Sequence, residues 1–185
     1  MAAHSVELMN QHVFVADCDV GKGLFAAREF LPGERILLLT GQRIGLADAI
    51  AKGDRECDAM QVGPAEYLDL EAPGVYTNHS CDPNAGIMHD HQLVALRPIR
   101  RGEEIRFDYS TTMDEDRWTM ACDCRSPHCR RVVEDFELLP DHVQSRYLAL
   151  NVVQTFIARQ CLGVTERHNG SHTSQGIAGL ASSGS

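Results

Sequence analysis

Three closely spaced cysteines, Cys122, Cys124 and Cys129, form the pattern C-x-C-x4-C and could bind one metal ion. A structural zinc site has four tetrahedral ligands, and thiolates are among the ligands that zinc prefers. Three thiols in so short a segment favour zinc, with free or redox-active thiols as the alternative. Because the segment supplies only three of these ligands, a fourth must come from elsewhere. The candidates are Cys18, Cys57, Cys81, His128 and Cys161.

A glycine turn follows the first strand-like segment of the chain. Gly21 and Gly23 fit the pattern G-x-G-x-x-A, which is typical of dinucleotide binding. That motif requires a long helix directly after it and an acidic residue about twenty positions further on. Pro32 and Gly33 interrupt any helix, and residues 39–43 contain no acid, so the context argues against it. Two interpretations remain: a plain hairpin turn, or a turn whose bare backbone approaches a ligand.

A polar segment that contains Asn78, His79 and Cys81 combines turn-forming residues with side chains that could do chemistry. Its simplest interpretation is an Asx-rich loop, since Asn and Asp side chains bond readily to the nearby backbone. A nucleophilic Cys–His pair is a second interpretation. Such pairs join residues that are distant in the chain, whereas His79 and Cys81 are close neighbours. On its residues alone, the segment therefore favours the loop.

The elements that must position these residues are mostly short strands. Between Val13 and Thr40, short apolar runs alternate with turns, which is typical of an all-β domain. Further strands are predicted over residues 67–70, 91–96 and 104–109.

Helices are predicted at two places. A short one covers residues 46–52 and ends at Gly53. A longer one follows the cysteines, where Pro140 supplies a plausible start. Four apolar residues there fall close to one helical stripe: Val143, Tyr147, Leu150 and Ile157.

Composition limits the functional class. The 185 residues suit one domain, and the formal net charge of −9 argues against direct nucleic-acid binding, which requires a basic surface. A basic peptide partner suits this charge better. No apolar stretch is long enough to span a membrane, and the first residues do not form a signal peptide. We therefore expect an intracellular protein, cytoplasmic or nuclear, and a monomer by default.

Taken in order, these segments resemble the SET-domain family of protein-lysine methyltransferases, over about residues 13–139. The run 21–24 is similar to the family's first motif, and 78–84 is similar to its most specific one. The run 102–109 is similar to the motif that ends in the catalytic tyrosine. The three clustered cysteines resemble the post-SET zinc module. In that module the cysteine of Asn-His-Ser-Cys, here Cys81, is the fourth ligand.

The resemblance implies a mainly β fold of small sheets with a pseudoknot, an exception to the usual absence of threading. It also implies a division of the chain. We expect an N-terminal arm (1–12), a SET domain (13–112), a post-SET zinc segment (113–139), a C-terminal helix (140–162) and a disordered tail (163–185).

The resemblance further assigns roles to residues. It implies S-adenosylmethionine and Zn²⁺ as cofactors, a lysine-containing protein or peptide as substrate, and Tyr109 as the catalytic residue. The expected cofactor-binding residues are Gly21, Lys22, Gly23, Leu24, Asn78, His79 and Phe136. The expected zinc ligands are Cys81, Cys122, Cys124 and Cys129.

Two positions of the expected lysine channel bear on its shape and on the methylation state of the product. Leu39 stands where many members have tyrosine, so either one wall of the channel is apolar or Tyr76 or Tyr67 takes over that wall. Phe107 stands where phenylalanine permits higher methylation states, so we expect at least dimethylation. The alternatives are a SET module that binds without turnover, an enzyme with a non-histone or small-molecule acceptor, and a zinc-binding interaction protein.

Overall fold

Short strands separated by turns make up five small sheets in residues 7–8 and 12–163, the part of the chain that the computed structural model describes. The predicted arm over residues 1–12 and tail over 163–185 lie almost wholly outside these residues. The strands are β1 (Glu7–Leu8), β2 (Val13–Cys18), β3 (Gly21–Ala26), β4 (Arg35–Leu38), β5 (Gly41–Gly45), β6 (Ala59–Gly63), β7 (Glu66–Leu70), β8 (Asn78–His79), β9 (Ala85–Met88), β10 (Gln92–Ala95), β11 (Arg106–Phe107), β12 (Met120–Ala121) and β13 (Val132–Val133).

Three of the sheets have three strands, in the orders β1-β2-β3, β4-β10-β9 and β5-β7-β6. The other two pair β8 with β11 and β12 with β13. This arrangement confirms the mainly β fold. No helix in the described ranges is long and apolar enough to cross a membrane.

The β2–β3 hairpin shows how the sequence pattern produces the core. Val13 pairs with Ala26 and Val15 with Leu24, and all four side chains are buried. Alternate residues of a strand point to one face, so one face of the hairpin is apolar. That face joins a core of buried residues from later parts of the chain, including Phe30, Ile87, Leu93, Ile99 and Ile105. Each such side chain contributes about 1.5–3 kcal/mol on burial.

Strands β8 and β11 bring two distant motifs together. They pair in parallel, with Asn78 opposite Arg106 and His79 opposite Phe107. The predicted strand over 104–109 is shorter than expected because a 3₁₀ helix, Tyr109–Thr112, begins directly after it. The Asp108 side chain caps that helix by accepting a hydrogen bond from the Ser110 N–H. The threading that a pseudoknot requires stays a prediction.

The short helix predicted over 46–52 is confirmed as α1 (Leu46–Ala51), and a 3₁₀ helix over Gly53–Asp58 follows it. Two more 3₁₀ helices cover Gly74–Tyr76 and Phe136–Leu138.

The single C-terminal helix predicted over 140–162 is wrong. The structure has two helices there, α2 (Asp141–Ala149) and α3 (Thr155–Cys161). Between them Asn151 has a left-handed backbone, with φ of 54°. The Gln154 N–H then donates to the Thr111 carbonyl, 3.0 Å away. The break lets Val152 and Val153 enter a second apolar cluster with Tyr147 and Ile157. Tertiary packing therefore overrides helix propensity in this segment.

Candidate functional site

A cavity of about 520 Å³ lies where the predicted motifs meet, a size typical of small-ligand sites. We call it the large cavity. Residues of three motifs line it: Asn78, His79 and Arg106 of the paired strands, Tyr109, and Met120 to Arg125 of the cysteine segment. Asp19, Val20 and Cys57 complete the lining.

The glycine turn reaches this cavity through Asn78. The Asn78 Nδ2 group donates to the Lys22 carbonyl (3.0 Å) and to Glu104 Oε1 (2.8 Å). Gly23 lies so close that a Cβ added there would be 2.6 Å from Glu104 Oε1. A side chain at this position would have to displace the Glu104 carboxylate, which contacts Asn78 and Arg106. Leu24 differs from its neighbours, because its side chain is fully buried in the core.

Tyr109 is held by contacts on three sides. Its hydroxyl donates to the Thr77 carbonyl at 3.1 Å, and its backbone N–H donates to His79 Nδ1 at 3.2 Å. The ring packs against Phe107, with 4.9 Å between ring centroids. Burial raises the pKa of Tyr109, and the nearby Cys57 acts in the same direction. The phenol is therefore protonated at neutral pH and can act as a hydrogen-bond donor or acceptor.

A second, much smaller cavity of about 30 Å³ adjoins the same tyrosine. We call it the narrow cavity. Its lining combines aromatic and acidic side chains, among them Tyr67, Phe107, Tyr109, Glu115 and Trp118. Tyr109 and Cys57 line both cavities. The two cavities therefore adjoin at Tyr109 and Cys57.

The three residues predicted to line the lysine channel lie in three different places in the structure. Phe107 lines the narrow cavity, as expected. Leu39 lies in the core, where its side chain is close to Gly74. Tyr76 packs near the Lys22 ammonium, 5.9 Å from its ring, and lines another surface cavity. Tyr67, the other aromatic candidate, lines the narrow cavity instead, and its hydroxyl donates to Glu115 Oε2 at 2.6 Å.

Phe136, expected to cover a bound adenine, does not line the large cavity. It is fully buried in the second apolar cluster beside Tyr147, and its N–H donates to the Met113 carbonyl. The 3₁₀ helix Phe136–Leu138 turns the ring inward, so the assignment was wrong for this arrangement.

The cysteines meet at one edge of the large cavity. The Sγ atom of Cys122 is 3.8 Å from that of Cys81 and 3.7 Å from that of Cys129. Tetrahedral coordination with Zn–S bonds of about 2.3 Å separates ligand sulfurs by about 3.8 Å. The Cys124 thiolate position is fixed by the Cys81 N–H, 3.5 Å from its sulfur. The two sulfur–sulfur distances of Cys122 thus match those between ligand sulfurs around zinc.

His79 is a competing donor at this cluster. Its ring, with the thiols of Cys81, Cys122 and Cys124, forms a group whose ligand atoms all lie within 4.8 Å of one another. However, Nδ1 accepts the Tyr109 N–H, so the neutral ring carries its proton on Nε2, 3.3 Å from Cys81 Sγ. Burial lowers the pKa of His79 to about 4, which keeps the ring neutral. In this tautomer His79 Nε2 donates to the Cys81 sulfur, so the ring is not free to bind a metal through Nε2.

Burial and hydrogen bonds tune the thiols unequally. Burial raises the pKa of Cys81 to about 11. Burial also acts to raise the pKa of Cys124, but backbone N–H groups of Cys81 and Ser126 outweigh it and lower that pKa to about 7. Cys124 is the thiol most ready to ionise, and a bound metal would deprotonate the others.

A buried ion pair connects the cysteine segment to the residue before Tyr109. Both Asp108 oxygens accept from the Arg130 guanidinium, at 2.7 and 2.8 Å, and Asp108 Oδ2 also accepts from the Tyr147 hydroxyl at 2.9 Å. The Arg130 backbone N–H donates to Cys81 Sγ at 3.4 Å. One carboxylate therefore joins the element before Tyr109, the cysteine segment and α2.

Sequence reasoning missed three residues of the site: Glu104, Arg106 and Cys57. Glu104 and Arg106 both lie in the run 102–109, which ends at the predicted catalytic residue. The signal that could have identified them is a charged pair two positions apart within this motif. Cys57 was considered only as a metal ligand, and it lies outside the cysteine cluster.

Comparison with known proteins identifies the domain. A family model described as the SET domain matches residues 21–110. Residues 21–110 are therefore similar to the SET domain, as their motifs indicate. The match ends before the cysteine segment.

Curated relatives match a similar stretch. "Histone-lysine N-methyltransferase 2B" of Homo sapiens is 29% identical over 130 residues, 60% of this chain and 5% of that protein. "Histone-lysine N-methyltransferase trr" of Drosophila melanogaster is 35% identical over 127 residues, again 60% and 5%. "Methyltransferase flvH" of Aspergillus flavus is 28% identical over 109 residues, 55% of this chain and 59% of that protein. The chain thus spans about one twentieth of the two histone-lysine relatives.

Proposed function

We propose that this chain transfers methyl groups from S-adenosylmethionine to the side chain of a lysine in a protein substrate. The observation that carries the proposal is the position of Tyr109, which lines both the large cavity and the narrow cavity. A methyl donor in the first and an amine in the second would meet beside its hydroxyl. The names of the histone-lysine relatives support the same reaction.

S-adenosylmethionine supplies an electrophilic methyl group on a sulfonium centre. Lysine must attack as the neutral amine, and with a pKa near 10.4 only about one in two thousand free lysines is neutral at pH 7. Desolvation in the narrow cavity and like-charge repulsion from the sulfonium lower that pKa, whereas the Glu56 and Glu115 carboxylates in the lining act in the opposite direction. The amine nitrogen then bonds to the methyl carbon as the carbon–sulfur bond breaks, and the ammonium product later loses a proton to solvent.

In this reaction the residues around Tyr109 orient the reactants. The protonated Tyr109 hydroxyl, held by the Thr77 carbonyl, directs the amine lone pair toward the methyl group. Such orientation is worth several kcal/mol in rate. Phe107 and Tyr67 exclude water from the narrow cavity. Because Phe107 lacks a hydroxyl that would fix the amine in one state, we expect at least dimethylated product, which mass spectrometry would detect.

The lining of the large cavity supports two of the expected cofactor-binding residues, Asn78 and His79. Asn78 and the backbone of His79 bind the cofactor, and the backbone of the run 21–24 supports Asn78 through the Lys22 carbonyl. Cys81, Cys122, Cys124 and Cys129 hold a structural zinc that closes one wall of that cavity. We expect the protein to act inside the cell, where thiols stay reduced.

A second candidate is the same reaction on a non-histone or small-molecule amine. Two observations favour keeping it: Leu39 is absent from the narrow cavity, so its wall differs from the expected one, and one relative is named only as a methyltransferase. The net charge of −9 favours a basic acceptor in either case.

The test is incubation with labelled S-adenosylmethionine and arrays of basic peptides and proteins, followed by mass spectrometry of labelled species. We expect label on lysine, abolished by Tyr109→Phe. Label on small amines alone would support the second candidate. Cofactor binding without transfer to any acceptor would contradict both and leave a binding module.

A further inference from the structure

Arg106 lies at the wall of the large cavity, next to the residue that is expected to bind the cofactor. It is paired with Asn78 in the register of β8 and β11, and both side chains line the cavity. The Arg106 side chain is 32% exposed, so about two thirds of it is covered by protein. Arg106 also lines a smaller surface cavity with Glu103 and Glu104, so its side chain borders both cavities.

Glu104 holds both side chains at once. Its Oε2 atom accepts from Arg106 Nε at 2.7 Å and also contacts Arg106 Nη2. Its Oε1 atom accepts from Asn78 Nδ2 at 2.8 Å. The carboxylate is 10% exposed and does not line the large cavity. Glu104 is therefore not part of the lining of the large cavity, but it holds the side chains of Asn78 and Arg106, which are.

Asn78 and Arg106 each keep a polar group that makes no hydrogen bond to Glu104 or Lys22 and could bind a ligand. The two Asn78 N–H donors are engaged by Lys22 and Glu104, so Asn78 Oδ1 remains to accept a bond from a ligand donor. The Nε and Nη2 groups of Arg106 face Glu104, so its Nη1 edge remains for an anion. An acceptor beside a guanidinium matches an α-amino acid, which carries an ammonium and a carboxylate on one carbon.

Among the described residues, one other arginine lines this cavity, and it is far more exposed than Arg106. Arg125 pairs with Asp19 at 2.6 Å, and its side chain is 73% exposed. Its charge is accordingly screened by water, whereas that of Arg106 acts at short range in a partly covered site. Arg106 is the better placed of the two to bind a carboxylate.

We propose that Arg106 binds the α-carboxylate of the methionine portion of S-adenosylmethionine, while Glu104 is a positioning residue that holds Arg106 and Asn78 in place. This inference rests on the proposed function, because it names how the same cavity recognises the methyl donor. It assigns Asn78 Oδ1 to the α-ammonium group.

Two ligands separate the amino-acid end from the rest of the cofactor. S-adenosylhomocysteine carries the ammonium and carboxylate, whereas 5′-methylthioadenosine keeps the nucleoside and thioether but lacks both. We would measure the affinity of each ligand for the zinc-loaded full chain by calorimetry. The variants are Arg106→Gln, Arg106→Lys and Glu104→Gln. Arg97→Gln is the matched control, since Arg97 pairs with Glu103 at 2.8 Å and does not line the large cavity.

Arg106→Gln should weaken S-adenosylhomocysteine about tenfold to a hundredfold, the range for a lost hydrogen bond to a charged group. Its affinity for 5′-methylthioadenosine should change less than about twofold. Arg106→Lys should recover part of the loss, and Glu104→Gln should weaken S-adenosylhomocysteine alone, by a smaller factor. Arg97→Gln should bind both ligands as wild type does.

Equal losses for both ligands in Arg106→Gln would overturn the proposal, because they would indicate a deformed cavity. An unchanged affinity for S-adenosylhomocysteine would overturn it as well. If the wild-type protein binds neither ligand, the proposed function itself fails, and that result is distinct from the other two.

Discussion

Around Tyr109, the strands rest on an apolar core, whereas residues 113–133 contain two paired strands of two residues each and three cysteines. The Tyr109 ring, hydroxyl and backbone are all engaged by protein groups. In the cysteine segment, by contrast, thiols contact one another at the spacing of metal ligands. Packing therefore holds Tyr109 in place, whereas the cysteine segment has few packing contacts and thiols at a spacing that suits a metal ion.

The largest effect is expected from removing the metal. Structural zinc contributes about 10 kcal/mol or more to the folding of small metal-binding segments. Cys122→Ser, or treatment with a strong chelator, should reduce zinc from about one per chain, expose residues 113–133 to protease and abolish binding of S-adenosylhomocysteine. Because β2, β3 and the core do not depend on the metal, circular dichroism should change little.

Cys161→Ser is the matched control, since Cys161 is exposed and lies outside the cluster. Full zinc content in Cys122→Ser, or global unfolding on chelation, would contradict the expectation that only the cysteine segment depends on the metal.

The next largest effect concerns the ion pair that joins the regions. Asp108→Ala leaves the Arg130 guanidinium buried without its partner, and such changes cost about 3–5 kcal/mol. Denaturant unfolding should show this loss together with lower zinc affinity. Asp123→Ala removes the exposed Arg131–Asp123 pair and should cost less than about 1 kcal/mol. Similar costs for the two variants would contradict the buried coupling.

A smaller effect concerns His79, which lies between the regions. Burial lowers its pKa from 6.5 to about 4, so between these values the unfolded chain binds more protons than the folded one. Its stabilising contribution is complete above pH 6.5 and is lost as the pH falls toward 4, by about 3 kcal/mol in all. Long-range ¹H–¹⁵N spectra at pH 6 should show a neutral ring with its proton on Nε2. A ring that is protonated at pH 6 would refute this account, and a ring metallated at Nε2 would make His79 the fourth ligand.

The smallest effect is expected at α2. Tyr147→Phe removes one hydrogen bond to Asp108 and keeps the packing of the ring, so it should cost about 1 kcal/mol. Thermal unfolding would measure this loss, with methyl transfer nearly unchanged. A large loss of activity would mean that α2 shapes the catalytic centre more than the geometry indicates.

Features that depend on local pattern were predictable from the sequence. The alternation of Val13 and Val15 identified β2, and the spacing of Cys122, Cys124 and Cys129 identified the cysteine cluster. The resemblance to a family then predicted Cys81 as their neighbour. That position could not come from local residues, since the Cys81–Cys122 contact spans forty-one positions.

Features that depend on tertiary pairing were not predictable. The role of Glu104 requires the parallel pairing of β8 with β11, which no sequence period reveals. The break before α3 depends on the bond between Gln154 and Thr111, and the inward turn of Phe136 depends on the second cluster. The choice of Tyr67 over Tyr76 for the narrow cavity likewise follows from how β7 packs.

The proposed function requires that the Tyr109 hydroxyl orients a methyl transfer between the large cavity and the narrow cavity. The most direct measurement compares Tyr109→Phe with wild type in two assays, the affinity for S-adenosylhomocysteine and the single-turnover rate of methyl transfer. We predict an affinity within about twofold and a rate lowered by about a hundredfold or more, since the change removes an orienting group and no binding contact. A wild-type rate in Tyr109→Phe would contradict the account.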